Sequence, residues 1–214
     1  MITDKITVTG DLKGKEQALA AAEKFCDYNG ITGKSAMYVR LLTEEAIGMI
    51  HGIMDNFSGE LWLESEKAES GLICRVHLKN PKGATESQEN KLLSVSSTGR
   101  NESAKGIIGK IRELIRIGTQ NTDLASENAG LGTLDNWVSM GLPHGEARFI
   151  DDYYVGYWSL VNYRDSVETS PKDETSKEAY DELERSIIAK LSDDVKVWLR
   201  SDYTEVVIEK QLLS

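Results

Sequence analysis

The sequence predicts an α/β sandwich, a mixed and mostly antiparallel sheet with helices on one face. Three observations carry that prediction. Short alternating, β-branched runs stand near both ends of the chain, two long helical stripes follow the first of them, and two pairs of runs are joined by turn residues at hairpin spacing. The resulting order is strand, helix, helix, hairpin, a long polar stretch with helical segments, helix, hairpin. Amphipathic stripes and one-sided strands must bury their apolar sides against each other, which gives two layers.

Lys-Ile-Thr-Val-Thr at 5–9 alternates and is the first strand. Asp11 offers a side-chain oxygen to cap the helix that follows. That helix runs from Lys15 to Tyr28 with Leu19, Ala22, Phe25 and Cys26 on one face, and Asn29-Gly30 ends it because both residues tolerate left-handed backbone. The second helix extends from Gly33 or Lys34 to Asp55. Val39, Leu42, Ala46, Met49, Ile50, Ile53 and Phe57 form its apolar stripe. A neighbouring face carries Leu41, Glu45, Gly48 and Gly52. Interior glycines cost about 1 kcal/mol each relative to alanine, so close packing of helix on sheet is expected there.

Glu60–Glu64 and Leu72–Leu78 are strands turned at Glu69-Ser-Gly71, and Asn80-Pro81 stops the second. A polar loop from Lys82 to Glu102 follows, then a helix over Ser103–Ile117, then an Asn-, Ser- and Gly-rich stretch from Thr119 to Leu134. Glu146–Val167 is expected to be helical and carries Phe149, Tyr153, Tyr154, Tyr157, Trp158 and Tyr163, with Gly156 weakening it. This aromatic stretch is core or a partner surface. Thr175-x-x-Glu178 is a capping box; Tyr180, Leu183, Ile187 and Leu191 are in phase behind it, and Asp193-Asp194 closes that helix. Val195–Arg200 and Thr204–Lys210 form the final hairpin.

The composition limits the function. The chain has 214 residues, 40% hydrophobic and 28% charged, with a formal net charge of −10. A globular chain of that length is one domain, 1–214, with 81–175 as a large insertion. The acidic balance disfavours nucleic acid as the main partner. No apolar run nears the roughly 20 residues that span a bilayer. The N-terminus shows no basic region followed by an apolar stretch, so a cytoplasmic location with Cys26 and Cys74 reduced is expected. His51, His77 and His144 have no metal-ligand spacing with Cys or Glu, and no metal is expected.

Three stretches carry a family resemblance. Leu41–His51 (Leu-Leu-Thr-Glu-Glu-Ala-Ile-Gly-Met-Ile-His) is similar to the N-box helix of the GHKL, or histidine-kinase-like, ATPases, the following hairpin agrees in place and length, and Leu191–Lys210 looks like the family's closing helix end, strand, turn and strand. The chain most resembles the anti-sigma-factor serine kinases over roughly residues 3–80 and 176–210. The resemblance implies a histidine-kinase-like fold whose ATP lid is replaced or extended by the mainly helical 81–175 insertion.

It also implies candidate roles. The family's N-box Glu, which orients the nucleophile, matches Glu45, or alternatively Glu44. The Asn four residues later, which holds Mg²⁺, is then Met49 or Gly48, and neither offers a side-chain oxygen. Asn80 stands near the family's adenine-binding Asp. Lys105, Gly106 and Gly109 are the nearest match to its phosphate-cradling glycines. Thr204 matches the Thr of the last strand, with Tyr203 in place of the usual glycine.

Three functions follow. The first is a regulatory module with weakened or lost nucleotide chemistry, contacting a sigma factor or an anti-anti-sigma-like regulator. The second is an ATP- and Mg²⁺-dependent serine protein kinase with Glu45 as base. The third is a structural or homodimerising protein using the aromatic stretch.

Overall fold

The computed structural model describes residues 1–50, 58–69, 71–80, 107, 111, 154–169, 174–200 and 203–212. The chain divides into two compact units. One holds Met1–Asn80, Ile187–Lys196 and Glu205–Ser214, and the other holds Pro81–Ser186 and Val197–Thr204.

The elements are β1 (Ile6–Thr9), α1 (Lys15–Asn29), α2 (Gly33–Ile50), β2 (Ser58–Ala68), β3 (Gly71–Asn80), β4 (Tyr154–Ser159), α3 (Leu160–Thr169), α4 (Glu174–Arg185), α5 (Ile187–Leu191), β5 (Asp194–Arg200) and β6 (Thr204–Leu212). The strands form one six-stranded sheet in the order β1-β2-β3-β6-β5-β4. β1 and β3 each run antiparallel to β2. Side-chain pairs join Arg75 to Glu209 and His77 to Glu205. One strand ascends while the other descends, as antiparallel neighbours do. The expected sandwich of sheet and helices is what the chain forms.

In the first unit, α1 and α2 pack on one side of β1–β3. α1 buries Leu19, Ala22, Phe25 and Cys26, the stripe its sequence predicts, and adds Ala18. Gly30, at φ 66°, ends it: the Gly30 N–H donates to Asp27 O and the Ile31 N–H to Cys26 O at 2.8 Å, with Ile31 buried behind the turn. α2 buries Val39, Leu42, Ala46 and Met49, again as predicted, and adds Thr43 and Ile47. The Thr43 hydroxyl donates to Val39 O at 2.8 Å and so enters the core satisfied. Ile50 is the last residue of α2, and residues 51–57, where Ile53 and Phe57 of that stripe fall, lie outside the described residues.

On β2 and β3, Leu61, Leu63, Cys74, Val76 and Leu78 face the helices. The Ser65 hydroxyl, on the same side, donates to Asn29 Oδ1 at 2.7 Å and ties β2 to the end of α1. Both strands run longer than their apolar cores predict. Alternate charged residues on the far face pair across the strands, with Glu64 opposite Arg75 and Glu60 opposite Lys79.

Several local expectations are corrected. Asp11 does not cap α1. The N-cap is Gly14 at φ 82° without a side-chain bond. The Asp11 carboxylate instead accepts from Thr9 and pairs with Lys13, whose hydrogen bond leads in holding its pKa down to about 2. The segment predicted as one helix over Glu146–Val167 contains a strand, Tyr154–Ser159, followed directly by α3. Tyr154, Val155, Tyr157 and Trp158 are of the types enriched in strands, and Gly156 disfavours a helix there. In α3, Leu160, Tyr163 and Val167 are buried at helical spacing. The later helix starts at Glu174, so Thr175 lies inside it, and it breaks at Ser186. Its predicted stripe is split: Tyr180 is 42% exposed and Ile187 50%, Leu183 and Leu191 are half-buried, and Ile188 and Ala189 are the buried residues. The final hairpin stands where the alternation places it.

Candidate functional site

The two candidate acids, Glu44 and Glu45, sit side by side on α2 and face different surroundings. Glu44 Oε1 lies 2.7 Å from Lys15 Nζ, in the first turn of α1. The hydrogen bond from Lys15 holds the Glu44 carboxyl below its ordinary pKa. This acid is engaged as a tie between the helices. Glu45 is half-buried one position on.

The residues that follow decide what this helix face can do. Met49, one turn beyond Glu45, is 0% exposed and belongs to the core. A thioether supplies no hard oxygen to Mg²⁺. Gly48, one turn beyond Glu44, was expected to mark close packing. A Cβ built there meets nothing within 4 Å, so the glycine is not required by a crowded neighbour. Gly52 lies outside the described residues.

Asn80 is the last residue of β3 and is buried in the first unit. Thr204 opens β6, is also buried, and belongs to the second unit. Lys105, Gly106 and Gly109 lie outside the described residues; Ile107 and Ile111 beside them are helical and buried. Among the described residues no cluster of His, Cys, Asp and Glu could hold a metal ion. Burial pushes the Cys74 thiol up to about 12 and raises Cys26 as well, which makes both poor nucleophiles. Trp158 is 2% exposed and Tyr163 is buried beside it, ring centroids 6.1 Å apart. These two aromatics are core rather than surface anchors.

Among the described residues the most concentrated polar arrangement lies elsewhere, on the sheet face turned away from α1 and α2. Arg75, in the middle of β3, reaches carboxylates on both flanking strands: Glu66 at 2.8 Å and Glu64 at 3.5 Å on β2, and Glu209 at 2.8 Å on β6. Partial burial works against the guanidinium's charge, but the hydrogen bonds to Glu66 and Glu209 outweigh it and raise its pKa. Lys196 adds a second cation 3.6 Å from Glu209. Two residues along β3, His77 stacks on Trp62 with centroids 4.7 Å apart, and Lys5 lies over the indole at 4.8 Å while pairing with Glu60. The signal for this cluster was present as alternating charges at 60, 64, 75, 77, 205 and 209. Reading it required knowing that β6 lies beside β3, which local periodicity does not encode.

No family model, curated protein or solved structure matches this chain.

Proposed function

We propose that the chain is a regulatory module on the histidine-kinase-like plan of the anti-sigma-factor serine kinases, acting through protein contacts with its nucleotide chemistry weakened or lost. The burial of Met49 carries this reading. In the N-box alignment Met49 takes the place of the Mg²⁺-binding Asn, and it is 0% exposed. A phosphoryl transfer needs an oxygen-rich Mg²⁺ shell, and a core thioether cannot supply one. The alternative alignment on Glu44 puts Gly48 at the ligand position and uses an acid already paired with Lys15. The order strand, helix, helix, hairpin and closing hairpin supports the family likeness. The partner is a sigma factor or an anti-anti-sigma-like regulator, the class to which that likeness points.

The test is a melting titration of the full chain with ATP, with and without Mg²⁺. A ligand at 100 times its Kd that binds only the folded state adds about 2.7 kcal/mol. No upward shift at millimolar ATP is expected. A Mg²⁺-dependent shift abolished by Glu45→Ala would restore the serine-kinase reading and refute this one.

A further inference from the structure

His77 lies mid-strand on β3 directly opposite Trp62 of β2. The two rings are nearly parallel, 9° apart, so stacking sets the plane of the imidazole. Its nitrogens then face different strands. Nδ1 is 3.1 Å from Glu205 Oε1 on β6, and Nε2 is 3.4 Å from Glu64 Oε2 on β2. The side chain is 12% exposed. Nε2 is sealed from solvent and makes no hydrogen bond, because the approach to Glu64 falls short of hydrogen-bond geometry.

A neutral imidazole carries one N–H and one lone pair. With the proton on Nδ1 it donates to Glu205, and the Nε2 lone pair faces the Glu64 carboxylate. With the proton on Nε2 the opposition moves to Glu205. Only the imidazolium has a donor for each side. The geometry points to His77 as a proton-operated clasp that, when protonated, ties β2 to β6 across β3 through Glu64 and Glu205, and that releases one of the two carboxylates when it loses its proton.

The surrounding charges leave this task to His77. On β2, Glu60 is paired with Lys5 and Glu66 with Arg75. Glu64 uses Oε1 for Arg75 at 3.5 Å and turns Oε2 to the imidazole. On β6, Glu209 is held by Arg75 and Lys196, whereas Glu205 has His77 as its cation among the described residues. On β3 itself, Arg75 and Lys79 flank His77 two positions away on either side, and Lys79 stands opposite Glu60 in the register. Imidazole changes charge between about pH 5 and 8. The second contact is therefore charge-assisted only while both ring nitrogens carry protons. This device is independent of whether the chain binds nucleotide.

Melting temperatures of the full chain and of His77→Gln, measured from about pH 5.5 to 8, read the clasp as a difference in which the other titrating groups cancel. The wild type should exceed the variant by about 2–4 °C more at the acid end than at the alkaline end. In a Glu205→Gln background that pH dependence should vanish. On the unmodified chain, imidazole ¹⁵N spectra should show both His77 nitrogens protonated at the acid end, with the Nε2 proton slow to exchange. This arm holds even if the variants fold poorly. A wild-type-to-variant difference that stays constant with pH would overturn the clasp, and so would a His77 ring with a single N–H at pH 5.5.

Discussion

Gly14 carries a constraint that no other residue type meets. Its φ is +82°, and a Cβ there would stand 2.1 Å from the Thr7 carbonyl oxygen, in the turn that leads from β1 into α1. Both the left-handed backbone and the clash penalise a side chain. Gly14→Ala should cost about 3 kcal/mol in urea unfolding; a loss under about 1 kcal/mol would mean that the turn relaxes freely. The Lys15–Glu44 pair beside it is a weaker matter, with side chains 30% and 44% exposed. Solvent screening limits such a pair to under about 1 kcal/mol, and Glu44→Gln should lose no more than that at neutral pH. The Glu44 pKa is lowered in the folded state. Its contribution is therefore present above the ordinary carboxylate pKa and disappears as pH falls through the folded value. Unfolding of wild type and Glu44→Gln at neutral and acid pH should show the gap closing in acid.

Among the elements, α2 decides most. It pairs an inner stripe, apolar apart from Thr43, with an outer line of Glu44, Glu45 and Gly48, and the functional reading depends on which side Met49 joins. It joins the inner stripe. Replacing it with the residue a Mg²⁺ site would need, Met49→Asn, places an amide in the core and should cost about 2–4 kcal/mol. Denaturant titration with Mg²⁺ and ATP present should show no recovery. Recovery of stability with Mg²⁺ and ATP would mean that the side chain reaches a metal after all. Much of α1, α2 and the β2–β3 hairpin was legible in the sequence, because each has a long run at one period and clear stop signals such as Gly30 and Asn80. The stretch from Tyr154 to Thr169 was not legible. Its aromatics fit a helix and a strand equally well, and the boundary at Ser159 reflects pairing within the sheet. α4 and α5 show the other failure, since a break at Ser186 leaves Tyr180 and Ile187 of the predicted stripe exposed and buries Ile188 and Ala189 instead.

Across the whole molecule, one sheet is assembled from strands distant in sequence, and Arg75 is a point where that assembly can be tested. It joins β3 to Glu209, 134 residues away, and to Glu64 and Glu66 on the other flank. Its side chain is 21% exposed, and Arg75→Met would leave these acids facing one another without their shared cation. A loss of about 2 kcal/mol is expected, partly recovered at high salt as the acids are screened. Thermal melts at two ionic strengths measure both effects, and an unchanged melting temperature would show the network to be energetically idle. Among the described residues no helix is long and apolar enough to cross a membrane, in line with the absence of any long apolar run in the sequence.

By itself the sequence determined the fold class, the two helical stripes, both hairpins and the buried identity of Cys26 and Cys74. All of these follow from spacing and residue type within one element. Tertiary structure alone decided that Glu44 meets Lys15, 29 positions away. It alone gathered Trp62, Arg75, His77, Glu205 and Glu209 into one polar face. The physical reason is that hydrophobic period reports which side of an element is apolar. Which neighbour covers that side, and which charges meet across strands, depends on chain segments that are far apart in sequence and become adjacent only in the folded sheet.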